Sequence, residues 1–118
     1  MLYLGADHAG YKLKEKIKKY LDKREIEYVD AGATRLKAED DYPDYAAAVA
    51  QQVASKKEAQ GILACGTGIG MALAANKIKG VRAATVWSSY TARKAVEEDH
   101  VNIIALPARV AISTSTAV

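Results

Sequence analysis

The sequence predicts an α/β domain in which helices cover a five-stranded parallel sheet. Five short apolar runs alternate with longer segments of helical period, the pattern of strands joined by helical crossovers. Each run ends at a turn or polar residue. A length of 118 residues suits one core and leaves no room for a second, so residues 1–118 are read as a single domain.

The first run, Leu2 to Leu4, leads into Gly5, and Leu13, Ile17, Tyr20 and Leu21 then form the core-facing stripe of a first helix. The second run is Ile26 to Val29. A polar loop, Ala31 to Asp41, separates it from a second helix, where Pro43 suits the first turn because its missing N–H costs nothing there, and Asp40 and Asp41 favour the positive end of the helix. Tyr45, Val49 and Val53 line one face of that helix. The third run, Ile62 to Ala64, ends at Cys65 and precedes a helix from about Gly70 to Ile78. The fourth, Val81 to Val86, precedes a helix capped by Ser88 or Ser89. The fifth, Ile103 to Leu106, ends at Pro107. Ile112 to Val118 carries no helical stripe, so the last strand needs its cover from a partner chain.

Composition narrows the function classes. Half the residues are apolar and 26% are charged, which excludes a disordered chain. The net charge is only +3, and Lys12, Lys14, Lys16, Lys18 and Lys19 interleave with apolar positions as the solvated face of a helix, so nucleic acid is not an expected partner. A single cysteine and no leader-like start suggest the cytoplasm. No apolar stretch approaches the roughly 20 residues needed to span a bilayer, so no membrane partner is expected.

The chemistry concentrates at Cys65-Gly66-Thr67-Gly68-Ile69-Gly70. Three glycines at alternate positions between a strand and a helix let the backbone approach a ligand and turn successive N–H groups toward one point, a nest for negative charge. The carboxyl ends of parallel strands are also where ligands bind in open sheets. Other glycine-rich loops fail on spacing. The dinucleotide fingerprint needs G-x-G-x-x-G, the P-loop ends in Gly-Lys-Ser/Thr, and a cysteine-phosphatase loop needs arginine where Met71 stands.

Cys65, beside this nest, is read as a base whose thiolate the amides favour. Taken apart from the loop it reads as a core residue. Asp7 and His8 follow the first strand and reach the same sheet edge, with Asp7 also suited to cap the first helix. Thr67 offers a hydroxyl within the nest or a brace for its turn. Arg109, just past the fifth strand, suits an oxyanion or phosphate clamp.

The segments Gly5-Ala-Asp-His-Ala-Gly-Tyr-Lys-Leu-Lys, Asp41-Tyr-Pro-Asp-Tyr, Cys65-Gly-Thr-Gly-Ile-Gly-Met, Ala74-Ala-Asn-Lys and Gly80-Val-Arg-Ala-Ala closely resemble the B-type ribose-5-phosphate isomerase family, which includes galactose-6-phosphate isomerases. The resemblance runs from Leu2 to about Val110. It implies a three-layer Rossmann-like sandwich and a metal-free, cofactor-free aldose–ketose isomerase of phosphorylated sugars. It also implies a homodimer or higher homo-oligomer with sites at the subunit boundary. Cys65 matches the family's base, and the amides of Gly66, Gly68, Ile69 and Gly70 match its oxyanion nest. Thr67 and Asp7 match ring-opening positions, while His8 and Arg109 match phosphate contacts. The family's His-Asn pair falls on Glu98 and Asp99, so Asp99 takes a substrate-binding position and His100 stands two residues away, about 200° around a helix. Members continue into a further helix and a basic segment that residues 110–118 do not contain, and this leaves a sugar-phosphate-binding or assembly module as the alternative reading.

Overall fold

A computed structural model describes residues 1–32 and 42–109. Residues 33–41, which include most of the polar loop with Asp40 and Asp41, and residues 110–118, which include the closing segment from Ile112, lie outside the described residues. The order of elements is β1 (Leu2–Ala6), α1 (Tyr11–Lys23), β2 (Tyr28–Asp30), α2 (Tyr42–Ser55), β3 (Gln60–Cys65), α3 (Ile69–Ala75), β4 (Ala83–Thr85), α4 (Ser89–Asp99) and β5 (Ile103–Pro107). All five strands are parallel, in the order β2-β1-β3-β5-β4. The parallel α/β sheet expected from the sequence is therefore present.

Alternation along the strands separates two apolar layers. Tyr3, Leu63, Ile103 and Ala105 face Val49, Val53, Met71 and Ala75 of α2 and α3. Leu4, Ile62, Ile104 and Leu106 face Ile17, Leu21 and Ala95 of α1 and α4. Adjacent residues on one strand thus point to opposite helical layers, which is why the central strands read as unbroken apolar runs. Gly5 of β1 and Gly61 of β3 both lie under Val49, where an added Cβ would stand 2.7 Å from one of its methyl carbons in each case. These two glycines let α2 sit close to the sheet.

Element boundaries differ from the sequence expectation where polar contacts decide them. The run from Ile26 becomes strand only at Tyr28, because the Ile26 N–H donates to the Leu21 carbonyl and Glu25 adopts φ 58° to close α1. Helix α3 stops at Ala75 rather than Ile78. The Asn76 amide donates to the Ala83 carbonyl at 2.9 Å and accepts from the Ala83 N–H at 2.7 Å, which exchanges another helical turn for a bond to β4. Val81 belongs to the preceding turn, so β4 is confined to three residues. Ser88 caps α4 in a reciprocal box with Thr91.

One lysine of the expected solvated face is buried. Lys14 is 1% exposed, and its Nζ meets the Asp30 carboxylate at 2.7 and 2.9 Å; Lys18 meets the same carboxylate at 2.9 Å. Burial would push the Asp30 carboxyl up, but the two ammonium groups and the Gly32 N–H outweigh it and hold the group below the usual carboxylate range. The bond to Asp30 is also the main cause that raises Lys18, against partial burial. A depressed carboxyl contributes stability that is complete above the unfolded value of about 3.9 and disappears as pH falls through the lower folded value. Asp30→Asn is expected to destabilise the fold by about 3 kcal/mol at pH 7, because it removes the carboxylate at 2.7 Å from the buried Lys14 ammonium, for which Glu15 at 3.8 Å is a poor substitute. Urea unfolding should show that difference shrinking below about pH 4 as the wild-type carboxylate is itself protonated.

Candidate active site

The three central strands end at one level. Ala6 of β1 pairs with Ala64 of β3, and Cys65 of β3 pairs with Pro107 of β5. The residues that follow, Asp7-His8, Gly66 to Gly68 and Ala108-Arg109, therefore meet at the carboxyl edge. Two backbone bonds continue the β3–β5 ladder into this edge, from the Ala108 N–H to the Cys65 carbonyl at 2.7 Å and from the Arg109 N–H to the Gly66 carbonyl at 3.0 Å. They carry the Arg109 guanidinium over Gly66, where an added Cβ would stand 2.9 Å from one guanidinium nitrogen. Arg109 is otherwise exposed.

Cys65 is 6% exposed and closes the apolar layer under α2 and α3. Its Sγ accepts the Gly68 N–H at 3.1 Å, so the buried thiol is turned into the glycine loop. An anionic sulfur receives such a bond more strongly than a neutral one. Gly68 has φ 78°, the left-handed region that a residue with a Cβ resists, and this bend turns its amide back toward the sulfur. The Thr67 hydroxyl accepts the Ile69 N–H at 3.2 Å and so braces the turn while keeping its own proton to donate. Ile69 begins α3 with its side chain exposed, and the Gly70 amide falls in the first turn, where no intrahelical acceptor exists. Two of the loop's amides are thus committed within the loop, to Cys65 and to Thr67.

Asp7 does not cap α1. Its Oδ1 accepts the Gly10 N–H at 3.0 Å within the preceding turn, and Gly10 occupies the cap position with no side-chain partner. Asp7 is 7% exposed, an acid held at the edge by the turn it stabilises. His8, half-buried, is the next residue in that turn. The turn lies hard against β3, because a Cβ on Gly10 would stand 2.0 Å from the Ala64 carbonyl oxygen.

Asp99 is not brought to this edge by its own chain. It ends α4, and its carbonyl accepts the Arg82 Nε–H at 2.9 Å beside the start of β5. That is the opposite edge of the sheet, about 13 Å away along a five-residue strand. Glu98 there pairs with Lys94 at 3.3 Å. His100 lies past the helix end in the left-handed region at φ 54°, so its direction follows from the cap rather than from helical rotation. Gly10 and Thr85 were not singled out from the sequence. The G-x-x-x-x-G spacing of Gly5 and Gly10 holds a weak hint of a tight turn, but nothing in the sequence marks Thr85, whose hydroxyl donates to the Gly68 carbonyl at 3.0 Å.

A family model described as Ribose/Galactose Isomerase matches residues 2–117. The chain belongs to the ribose/galactose isomerase family. The probable ribose-5-phosphate isomerase B of Mycoplasma pneumoniae is 43% identical over 108 residues, spanning 92% of this chain and 71% of that protein. Ribose-5-phosphate isomerase B of Mycobacterium tuberculosis is 42% identical over 108 residues, spanning 92% of this chain and 67% of its own length. Among solved structures, ribose-5-phosphate isomerase B of Mycoplasma genitalium with bound ribulose-5-phosphate superposes with a TM-score of 0.90 at 40% identity, covering 98% of this chain and 76% of that one. The family's three-layer Rossmann-like sandwich is the fold described above. Among the described residues, no helix is long and apolar enough to cross a membrane.

Proposed function

We propose that the chain interconverts ribose 5-phosphate and ribulose 5-phosphate through an enediolate, with Cys65 as the base. The aldose–ketose isomerase class follows from the family. The observation that supports the mechanism most directly is the bond from the Gly68 N–H to the Cys65 Sγ, because it holds one thiol at the mouth of an amide-lined loop. Asp7 and Thr67 open the sugar ring by exchanging protons with the ring oxygen and its hydroxyl. The Cys65 thiolate then takes the C2 proton, and the electron pair of that bond forms the C1–C2 double bond while charge collects on the C1 oxygen. Amides of the Gly66 to Gly70 loop other than those of Gly68 and Ile69, which are committed to Cys65 and Thr67, stabilise that oxyanion. The proton returns to C1 and the hydroxyl proton passes from O2 to O1, so the sugar is rearranged with no net oxidation. His8 and Arg109 bind the phosphate.

Asp99 joins such a site only from a second copy of the chain, which accords with a homodimer whose sites lie at the subunit boundary. Ile69, Leu73, Trp87 and Tyr90 are each more than half exposed and supply apolar surface for that contact. We place the reaction in the cytoplasm, where a catalytic thiol stays reduced.

The test is an assay against ribose, allose and galactose phosphates, with C2 proton exchange followed in heavy water. Ketose formation and exchange are expected with ribose 5-phosphate. Calorimetric binding of the sugar phosphates with no exchange at C2 would instead indicate a binding or assembly module. Arg109→Met is expected to raise KM for ribose 5-phosphate about 10- to 100-fold, the cost of one or two charge-assisted bonds, with a smaller change in kcat. Arg109→Lys should recover only part of that loss, since a point charge does not replace a planar fork.

A further inference from the structure

Gly68 is the hinge of the candidate base, and its position is set from outside the loop. Its amide holds the Cys65 sulfur at 3.1 Å, and its left-handed φ of 78° leaves it many alternative conformations in the absence of restraint. Restraint comes from the end of β4. The Thr85 hydroxyl donates to the Gly68 carbonyl at 3.0 Å, and the Thr85 methyl stands 3.0 Å from the place a Cβ on Gly68 would take. The Ala105 carbonyl lies 3.2 Å from the same place and forms the floor. Thr85 pairs with Ala105 across the β4–β5 ladder, so its side chain is carried by the sheet rather than by the loop it touches.

We propose that Thr85 is a positioning residue, which fixes the Gly68 peptide and through it the direction of the amide that stabilises the Cys65 thiolate. This rests on the reading of Cys65 as the base. Among the described residues, charged or titratable groups at this edge include Asp7 and His8 of the β1–α1 turn, Asp30 at the end of β2 and Arg109 after β5, and none of these is the donor to the Gly68 carbonyl. A donor held toward an anion favours the charged form only while its direction is kept. A base displaced by a fraction of an ångström loses rate rather than substrate affinity.

Two variants and two readouts test this. Thr85→Val keeps the shape and the methyl but removes the donor, and Thr85→Ser keeps the donor. Thr85→Val is expected to lower kcat for ribose 5-phosphate about 10-fold with KM within about twofold. It should also speed hydrogen exchange at the Gly68 amide about 10-fold, because the peptide that carries it is no longer held from β4. Thr85→Ser should restore both. An unchanged Gly68 exchange rate in Thr85→Val overturns the proposal, whatever happens to kcat. Faster exchange restored by serine in a protein without isomerase activity upholds it and removes the isomerase reading instead. Exchange accelerated equally in both variants overturns it, because the methyl packing rather than the donor would then be responsible.

Discussion

Cys65→Ala lowers kcat for ribose 5-phosphate by about 10²- to 10⁴-fold, the usual contribution of a positioned base. The loss should appear in kcat and kcat/KM together, because the thiolate acts on the C2 proton in the transition state and adds little to ground-state binding. Folding is the necessary control, since Cys65 also closes the apolar layer under α2 and α3. Trading a buried thiol for a methyl costs about 1 kcal/mol, a fall of about 4–8 °C in Tm, which leaves the chain folded at assay temperature. An alanine variant that turns over as fast as wild type removes Cys65 from the chemistry. A serine variant adds a second check: its hydroxyl fills the same space but ionises far less readily, so it should be nearly as slow as alanine.

Gly10→Ala is expected to be the most damaging single methyl in the molecule. The added carbon would lie 2.0 Å from the Ala64 oxygen and 2.2 Å from its carbonyl carbon, both backbone atoms of the central strand with no rotamer to move aside. Relief requires α1 to lift from β3, and α1 carries the buried Lys14–Asp30 pair and the Ile17 and Leu21 contacts along its length. A loss of about 3 kcal/mol, the upper part of the range for an overfilled contact, corresponds to about 12–24 °C in Tm. Activity should fall further than stability explains, because the Asp7-His8 turn moves with the start of α1. Calorimetry beside an assay at a temperature where the variant is still folded separates the two effects. A Tm within 3 °C of wild type would overturn this expectation and mean that the turn yields to the extra carbon at little cost.

Periodicity made the sheet and its helices readable, since a run such as Ile62-Leu63-Ala64 followed by Gly66, Gly68 and Gly70 leaves few alternatives to a strand, a turn and a helix. The same pattern says nothing about neighbours. That β3 lies between β1 and β5 depends on long-range pairing, and only that pairing puts Asp7 and Arg109 beside Cys65. Boundaries escaped the reading where one polar side chain decided them, as Asn76 does for α3. Lys14 was misread for a related reason. Helical spacing shows which positions share a face, but not that Asp30, sixteen residues away, turns a lysine inward. Asp99 was placed by likeness alone, and the order of elements sets it at the far edge of its own chain.

The order of strands also bears on how the molecule is made. Of the five described strands β5 is the last in the chain, yet it lies between β3 and β4, and among the described residues β4 pairs with β5 alone. Until residue 107 has emerged, β3 displays a bare edge and β4 has nothing to pair with, the condition in which unfinished sheets recruit foreign strands. Nascent chains halted before Ile103 should therefore depend on chaperones far more than chains only a few residues longer.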